Sequence, residues 1–371
     1  MRKMTGKPQM LKELNSSLIE QMIDERGPLT KPKLAKMTSL SLPTVNKLVE
    51  DLEAGGHICQ VGLSGKGAGR KAALYQTNKD FGCFAVLYYQ WGKFVCRIAD
   101  VTGATLCETT LPLDDSTLDT AIQSILSATD ELLARAPTQV KCIGIGVPGA
   151  VQPDGRLLGI PKIQVWEGYN LGELLSKHYQ MDVCVENDVK LSAVGYYHTN
   201  LKDKWENIVY LYAGNGMGAG IIIDRKLHRG FSNFSGELGF MAPLDGQVPN
   251  KDFTSQGGYL ETQFRRFVNA SQGECWQKDD PEQRRALTHL LGAAAVNHIS
   301  VINPDAIVFG GEAFDETLTE AIREQIAFYI PQQSMPHILY DRKDSTGIDG
   351  LILTCRGYVT TRMQLIRSAG I

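Results

Sequence analysis

The sequence predicts an α/β protein in two parts: a small winged helix-turn-helix at the N-terminus and a larger body of two similar α/β lobes. Three observations predict it. Helical periodicity with capping residues runs over residues 10–54, and a strand–strand–strand–helix–strand pattern occurs twice after position 80. Charge also divides along the chain: residues 1–76 hold 12 basic and 7 acidic side chains (+5), leaving 26 and 34 (−8) for the rest, within a formal total of −3. With 371 residues, 43% hydrophobic and 21% charged, the chain can bury a large core in two or three domains. This composition excludes a disordered, collagen-like or coiled-coil chain.

Met10, Leu11, Leu14, Leu18, Ile19, Met22 and Ile23 recur at helical spacing over residues 10–26, and Gly27-Pro28 ends the run. Thr30 is placed to cap a short helix over 31–37, with Pro32 tolerated in its first turn. After the turn Thr38-Ser39-Leu40, Ser41 leads into a second helix over 42–54 that Gly55-Gly56 stops. Strands at 58–61 and 73–76 flank the long basic segment GLSGKGAGRK, which completes a winged helix-turn-helix. Such a module lays its second helix in the major groove. Ser41, Pro43, Thr44, Asn46 and Lys47 are then nearest the bases, Asn46 suited to adenine and Lys47 to guanine or phosphate. Lys66, Arg70 and Lys71 of the wing suit a minor groove or phosphates. Residues 1–78 are therefore expected to bind double-stranded DNA.

In the body, strands are expected at 84–89, 93–101 and 105–113, a helix at 118–134 and a strand at 142–151. The pattern returns as strands at 207–214, 218–224 and 226–230, a helix at 286–302 and a strand at 306–311. Two such lobes enclose a cleft, where ligands favour binding. Glycine-rich strand ends GVPGA (146–150), GNGMGAG (214–220) and FGGE (309–312) offer backbone N–H groups to oxyanions. No apolar run reaches the roughly 18 residues of a membrane helix, and the N-terminus lacks the apolar core of a signal peptide. The eight cysteines are scattered without C-x-C or C-x-x-C pairs, which points to free thiols in the cytoplasm.

GIGVPGAVQPDGRLLGIP (144–161), Trp166, VENDVKLSAVG (185–195) and IVYLYAGNGMGAGIIIDRKLHRGFSNFSGELGF (208–240) resemble, in order, the ROK family of sugar kinases and sugar-responsive repressors. The resemblance implies a two-lobed actin/hexokinase-like ATPase fold over 79–371, serving sugar sensing and dimerisation. The winged head matches the family's NagC/Mlc/XylR-type repressors. By the same resemblance Asn187 and Asp188 form the sugar-binding pair, Asp188 at the position of the kinases' catalytic base. Glu237 and Glu261 match two further sugar ligands, and Gly149 the loop lying against the sugar.

Departures from the family decide the expected activity. Where kinases carry D-x-G-G-T, the first hairpin here reads Tyr88-Tyr89-Gln90-Trp91-Gly92-Lys93, with no acid to help hold magnesium. Asn215 stands where kinases have threonine, and Lys162 where the family has asparagine. Phe240 replaces the zinc-binding, sugar-touching histidine, and 252–259 contain no cysteine, so neither zinc nor another cofactor is expected. The expectation is a non-enzymatic repressor of carbohydrate-metabolism genes, a homodimer or dimer of dimers on a pseudo-palindromic operator, controlled by a sugar or sugar derivative. The alternatives are an ATP-dependent sugar kinase and a repressor controlled by a transport-system protein.

Overall fold

Thr30 and Ser41 start the two helices that the sequence assigns to them. Their hydroxyls accept the N–H groups of Lys33 and Thr44, each orphaned in a first turn. The computed structural model describes residues 8–64, 71–90, 92–159, 163–214, 216–242, 258–267, 280–343 and 345–369. The head contains α1 (Pro8–Arg26), β1 (Leu29–Thr30), α2 (Lys31–Thr38), α3 (Leu42–Ala54), β2 (Ile58–Leu63) and β3 (Ala73–Thr77). The strands pair in the order β1-β3-β2. Ile19, Ile23, Leu34, Val45, Leu48, Val49, Leu52, Ile58 and Tyr75 close a core of its own.

The first lobe runs β4 (Cys83–Gln90), β5 (Lys93–Asp100), β6 (Thr105–Pro112), α4 (Leu118–Arg135) and β7 (Val140–Val147). It continues through the short ribbon β8 (Ala150–Val151) and β9 (Leu157–Leu158) to α5 (Leu171–Tyr179), β10 (Val183–Asn187) and α6 (Asp188–Tyr196). The second lobe runs β11 (Ile208–Ala213), β12 (Met217–Ile223), β13 (Lys226–Leu227), α7 (Tyr259–Arg265), α8 (Pro281–Ile302), β14 (Ala306–Gly310), α9 (Glu316–Tyr329), β15 (His337–Tyr340) and α10 (Thr346–Ala369). The two five-stranded sheets are ordered β10-β7-β4-β5-β6 and β13-β12-β11-β14-β15. Both therefore share one topology, an antiparallel meander extended by two parallel strands.

Three expected elements differ. The strand placed at 142–151 ends at Val147, because Gly149 turns the chain at φ 83° before the β8–β9 ribbon. The strand placed at 226–230 is two residues long, and α8 starts five residues earlier than expected, capped by Asp280 with Pro281 in its first turn.

Helices α6 and α10 each follow the fifth strand of their lobe and cross in the middle of the body. Glycines permit their closeness. A Cβ on Gly195 would lie 2.0 Å from the carbonyl oxygen of Thr346, and one on Gly350 1.9 Å from that of Leu191. α6 is buried all round. Its Leu191 packs with Phe84, Val86, Ile348 and Leu351, while Val189, Ala193 and Tyr197 pack on β11, β12 and β14.

The head docks on this crossing. Arg356 of α10 forms an ion pair with Asp24 of α1. Phe81, in the connecting turn, lies between the His57 ring of the head (4.3 Å) and Lys141 of the body (4.1 Å).

The crossing makes a paired prediction within α10. Gly350→Ala forces backbone apart and should cost about 2–3 kcal/mol or more. Gly357→Ala, where an added Cβ meets nothing within 4 Å, should stabilise by about 0.5–1 kcal/mol. Urea unfolding of the two variants reads both, and equal effects would refute the account.

Candidate functional site

A cavity of about 410 Å³ lies between the lobes, and Gly149, Asn187, Asp188, Glu237 and Glu261 all line it. Asn187, the last residue of β10, organises one wall. Its Oδ1 accepts the Lys190 N–H (2.9 Å) and so caps α6, while its Nδ2 donates to the Gly149 carbonyl (2.9 Å) and to Asp188 Oδ1 (3.2 Å). Asp188 Oδ1 also accepts the Val189 N–H (2.8 Å), at the positive end of the helix. One buried amide thus fixes a turn, a helix start and a carboxylate.

Glu237 and Glu261 enter from the second lobe. Glu261 is committed to structure as well as to the cleft. Its Oε2 accepts the Met217 N–H (2.7 Å), and its Oε1 pairs with Arg265 Nε (2.9 Å). Gly236, before Glu237, has φ 88° and its Cβ position lies 1.9 Å from the Ala219 carbonyl oxygen, so glycine is required there. Phe240 also lines the cleft.

Lys190 was missed by sequence reasoning. Its side chain is 2% exposed, and its Nζ donates to the Asn233 carbonyl and lies 3.9 Å from Glu237 Oε1. The Asn233 side chain donates in turn to the Val151 carbonyl (2.8 Å), and Arg229 pairs with the buried Glu186 (2.8 Å). These contacts tie the loop after β13, in the second lobe, to the first lobe. Forty-three positions separate Lys190 from Asn233. The one available signal was a lysine inside the otherwise apolar helix VKLSAVG. Burial raises the Glu237 carboxyl to about 6; Lys190 opposes that rise and Glu261 adds to it. Burial lowers Lys190, and Glu237 counters it.

The cleft is also lined by Tyr88, Tyr210 and Tyr212, by Glu312 and Asp341, and by Arg342 and Lys343. Tyr210 donates to Asp341 and Tyr212 to Glu312, each at 2.9 Å. The Tyr88 side chain occupies the space beside Gly146 and Gly347, where added Cβ atoms would lie 2.6 and 2.2 Å from it. Trp91, Lys162, Asn215 and residues 252–257 lie outside the described residues. Among the described residues, no group of three or more His, Cys, Asp or Glu side chains is placed to hold a metal ion.

On the head, α3 buries Val45, Leu48, Val49 and Leu52, and this turns Pro43 and Lys47 fully outward and Asn46 partly so. The Ser41 and Thr44 hydroxyls bond each other at 2.8 Å in the exposed first turn. Lys71 is exposed before β3, while Lys66 and Arg70 lie outside the described residues.

The family model described as "ROK family" matches residues 92–259. A xylose repressor of Caldicellulosiruptor bescii is 24% identical over 357 residues, covering 86% of this chain and 89% of its own. Among solved structures, a ROK family transcriptional regulator described as a homolog of the E. coli Mlc protein aligns over 98% of this chain and 100% of its own, at 20% identity and TM-score 0.75. A ROK family glucokinase from Streptomyces griseus, solved with glucose and AMPPNP, aligns over 74% of this chain and 100% of its own, at 21% identity and TM-score 0.58. No described helix is long and apolar enough to cross a membrane.

The raised Glu237 carboxyl sets a pH dependence. The unfolded chain loses this proton near 4.5 and the folded chain near 6, so stability falls as pH rises across that window, by on the order of 2 kcal/mol. Carbon-13 NMR of labelled glutamate should show one carboxyl titrating near 6. Lys190→Met, by removing the cation that holds it down, should move that midpoint upward; a downward move would refute the pairing.

Proposed function

The chain carries a domain of the ROK family, and on that premise we propose that it is a sequence-specific DNA-binding repressor of carbohydrate-metabolism genes, controlled by a sugar or sugar derivative in the cleft. One observation carries the reading. A small head whose helix α3 turns Pro43 and Lys47 outward is joined to a cleft lined by Gly149, Asn187, Asp188, Glu237 and Glu261. Residues 1–78 would be the DNA-reading unit and 79–371 the sensing and dimerising unit, in the cytoplasm. Ser41, Pro43, Thr44, Asn46 and Lys47 would read the major groove, and Lys66, Arg70 and Lys71, the first two outside the described residues, would contact a minor groove or phosphates. A homodimer or dimer of dimers places two heads on a pseudo-palindromic operator, and Asp188, Glu237 and Asn187 receive the sugar hydroxyls. The similarity to the xylose repressor supports this assignment.

In this reading the protein is not an enzyme. Tyr88 fills the space beside Gly146 and Gly347, and the Glu312 carboxylate occupies the space beside Gly214, so side chains crowd the backbone that a phosphate-gripping loop must leave open. Ligand control works only through differential affinity for two arrangements. The route offered by the fold runs from Asp188 along α6, across the glycine crossing to α10, and through Arg356–Asp24 to α1.

Fluorescence anisotropy on DNA from upstream of its own gene, with hexose, pentose and amino-sugar panels, tests the proposal. One sugar should weaken binding at least about tenfold, and Asp188→Ala should abolish that response while sparing DNA affinity. Lys47→Ala should weaken binding and reduce the salt slope by about 1. Asp24→Asn should retain both ligands but shrink the ratio that links them. Sustained ADP release with ATP and any panel sugar would overturn the non-enzymatic reading. Release from DNA by a transport-system protein alone would replace the sugar as controller.

A further inference from the structure

The loop after β13 displays apolar rings although its backbone is pinned. Phe231 is fully exposed and Phe234 is 47% exposed. Between them Asn233 is held from two sides: its side chain donates to the Val151 carbonyl, and its own carbonyl accepts from buried Lys190. The Ser235 N–H donates to the Arg229 carbonyl (3.2 Å), and Arg229 pairs with Glu186. These contacts anchor the backbone on both flanks of Phe234. Phe234 packs on Phe240 with ring centroids 5.1 Å apart, and Phe240 lines the cleft. Phe234 therefore carries the aromatic surface of Phe240 from the candidate sugar site to the exterior, and Phe231 stands clear of it.

Resting on the cleft as the sugar site, we propose that Phe240 and Phe234 form a second subsite, which takes the apolar face of a group attached to the sugar. The ligand class is a glycoside: a pyranose with an apolar aglycone or with a second sugar ring. The sugar hydroxyls meet Asn187, Asp188 and Glu237, while the attached group lies along the rings. A phenyl ring offers no hydrogen bond but covers C–H surface well, so the subsite selects for shape and apolar area. A free monosaccharide fills the polar end alone.

Calorimetry on the full chain tests this with matched probes. The free sugar, its methyl glycoside, its phenyl glycoside and its disaccharides are compared in both anomers, for glucose, galactose, mannose, xylose and N-acetylglucosamine. For one sugar, the phenyl glycoside or a disaccharide should bind about tenfold tighter than the methyl glycoside. Whichever of the two binds tighter identifies the attached group. Phe234→Ala should erase that advantage and Phe231→Ala, whose ring stands clear of the cleft, should not, and both should leave methyl-glycoside affinity and DNA binding unchanged. Equal affinity for methyl and extended glycosides, or an equal loss for both in the variants, overturns the subsite but leaves the sugar site standing. Failure of every probe to bind, with DNA binding intact, overturns the sugar reading itself. A change of oligomeric state in the Phe variants, read by sedimentation, assigns the rings to contact between copies and overturns the subsite.

Discussion

The two lobes, the cleft and the docked head all depend on how closely α6 and α10 approach. At an ordinary interaxial distance of about 8–10 Å, side chains separate two helices. Here Gly195 and Gly350 bring each backbone against a carbonyl of the other helix. The first residues of α6 and α10, Asp188 and Thr346, consequently line the same cavity. Further along α10, the same placement sets Arg356 opposite Asp24. Ligand wall and head contact therefore share two rigid rods, and neither can shift without the crossing giving way.

The glycine series Gly214, Gly216, Gly218 and Gly220 invites a reading as an oxyanion-binding loop. The structure supplies a different reason for half of it. Gly218 and Gly220 lie two apart on β12 and so face the same side. There, added Cβ atoms would lie 3.0 Å from Val189 and 2.2 Å from Ala193, both on α6. They are spacers that let the helix settle onto the strand. Gly214 is confined by Glu312, at 1.9 Å from its Cβ position. A phosphate-loop pattern thus persists in a chain whose own packing requires it.

Much of the fold was legible because local chemistry announced it. Thr30 and Ser41 cap the helices assigned to them, and the strand-like runs over 84–113 mark the first meander. α6 gave no such signal, since a helix buried on every side lacks the polar face that reveals periodicity. The five cleft residues were reached through motif resemblance, and the structure gathers them in one cavity. What motif reasoning could not supply was the support beneath them. Glu261 braces the Met217 N–H, and Lys190 braces Asn233; both depend on partners more than forty positions distant.

The duplication carries a constraint on how this sequence can drift. Strands and surface helices of the two lobes share a topology without sharing side chains, so each half accommodates substitutions within its own core. At the crossing that independence ends. Gly195 belongs to the first half and abuts Thr346 of the second; Gly350 belongs to the second and abuts Leu191 of the first. Because the obstacle at each point is backbone, no change of partner side chain can make room, and a mutation in one repeat is judged by the geometry of the other.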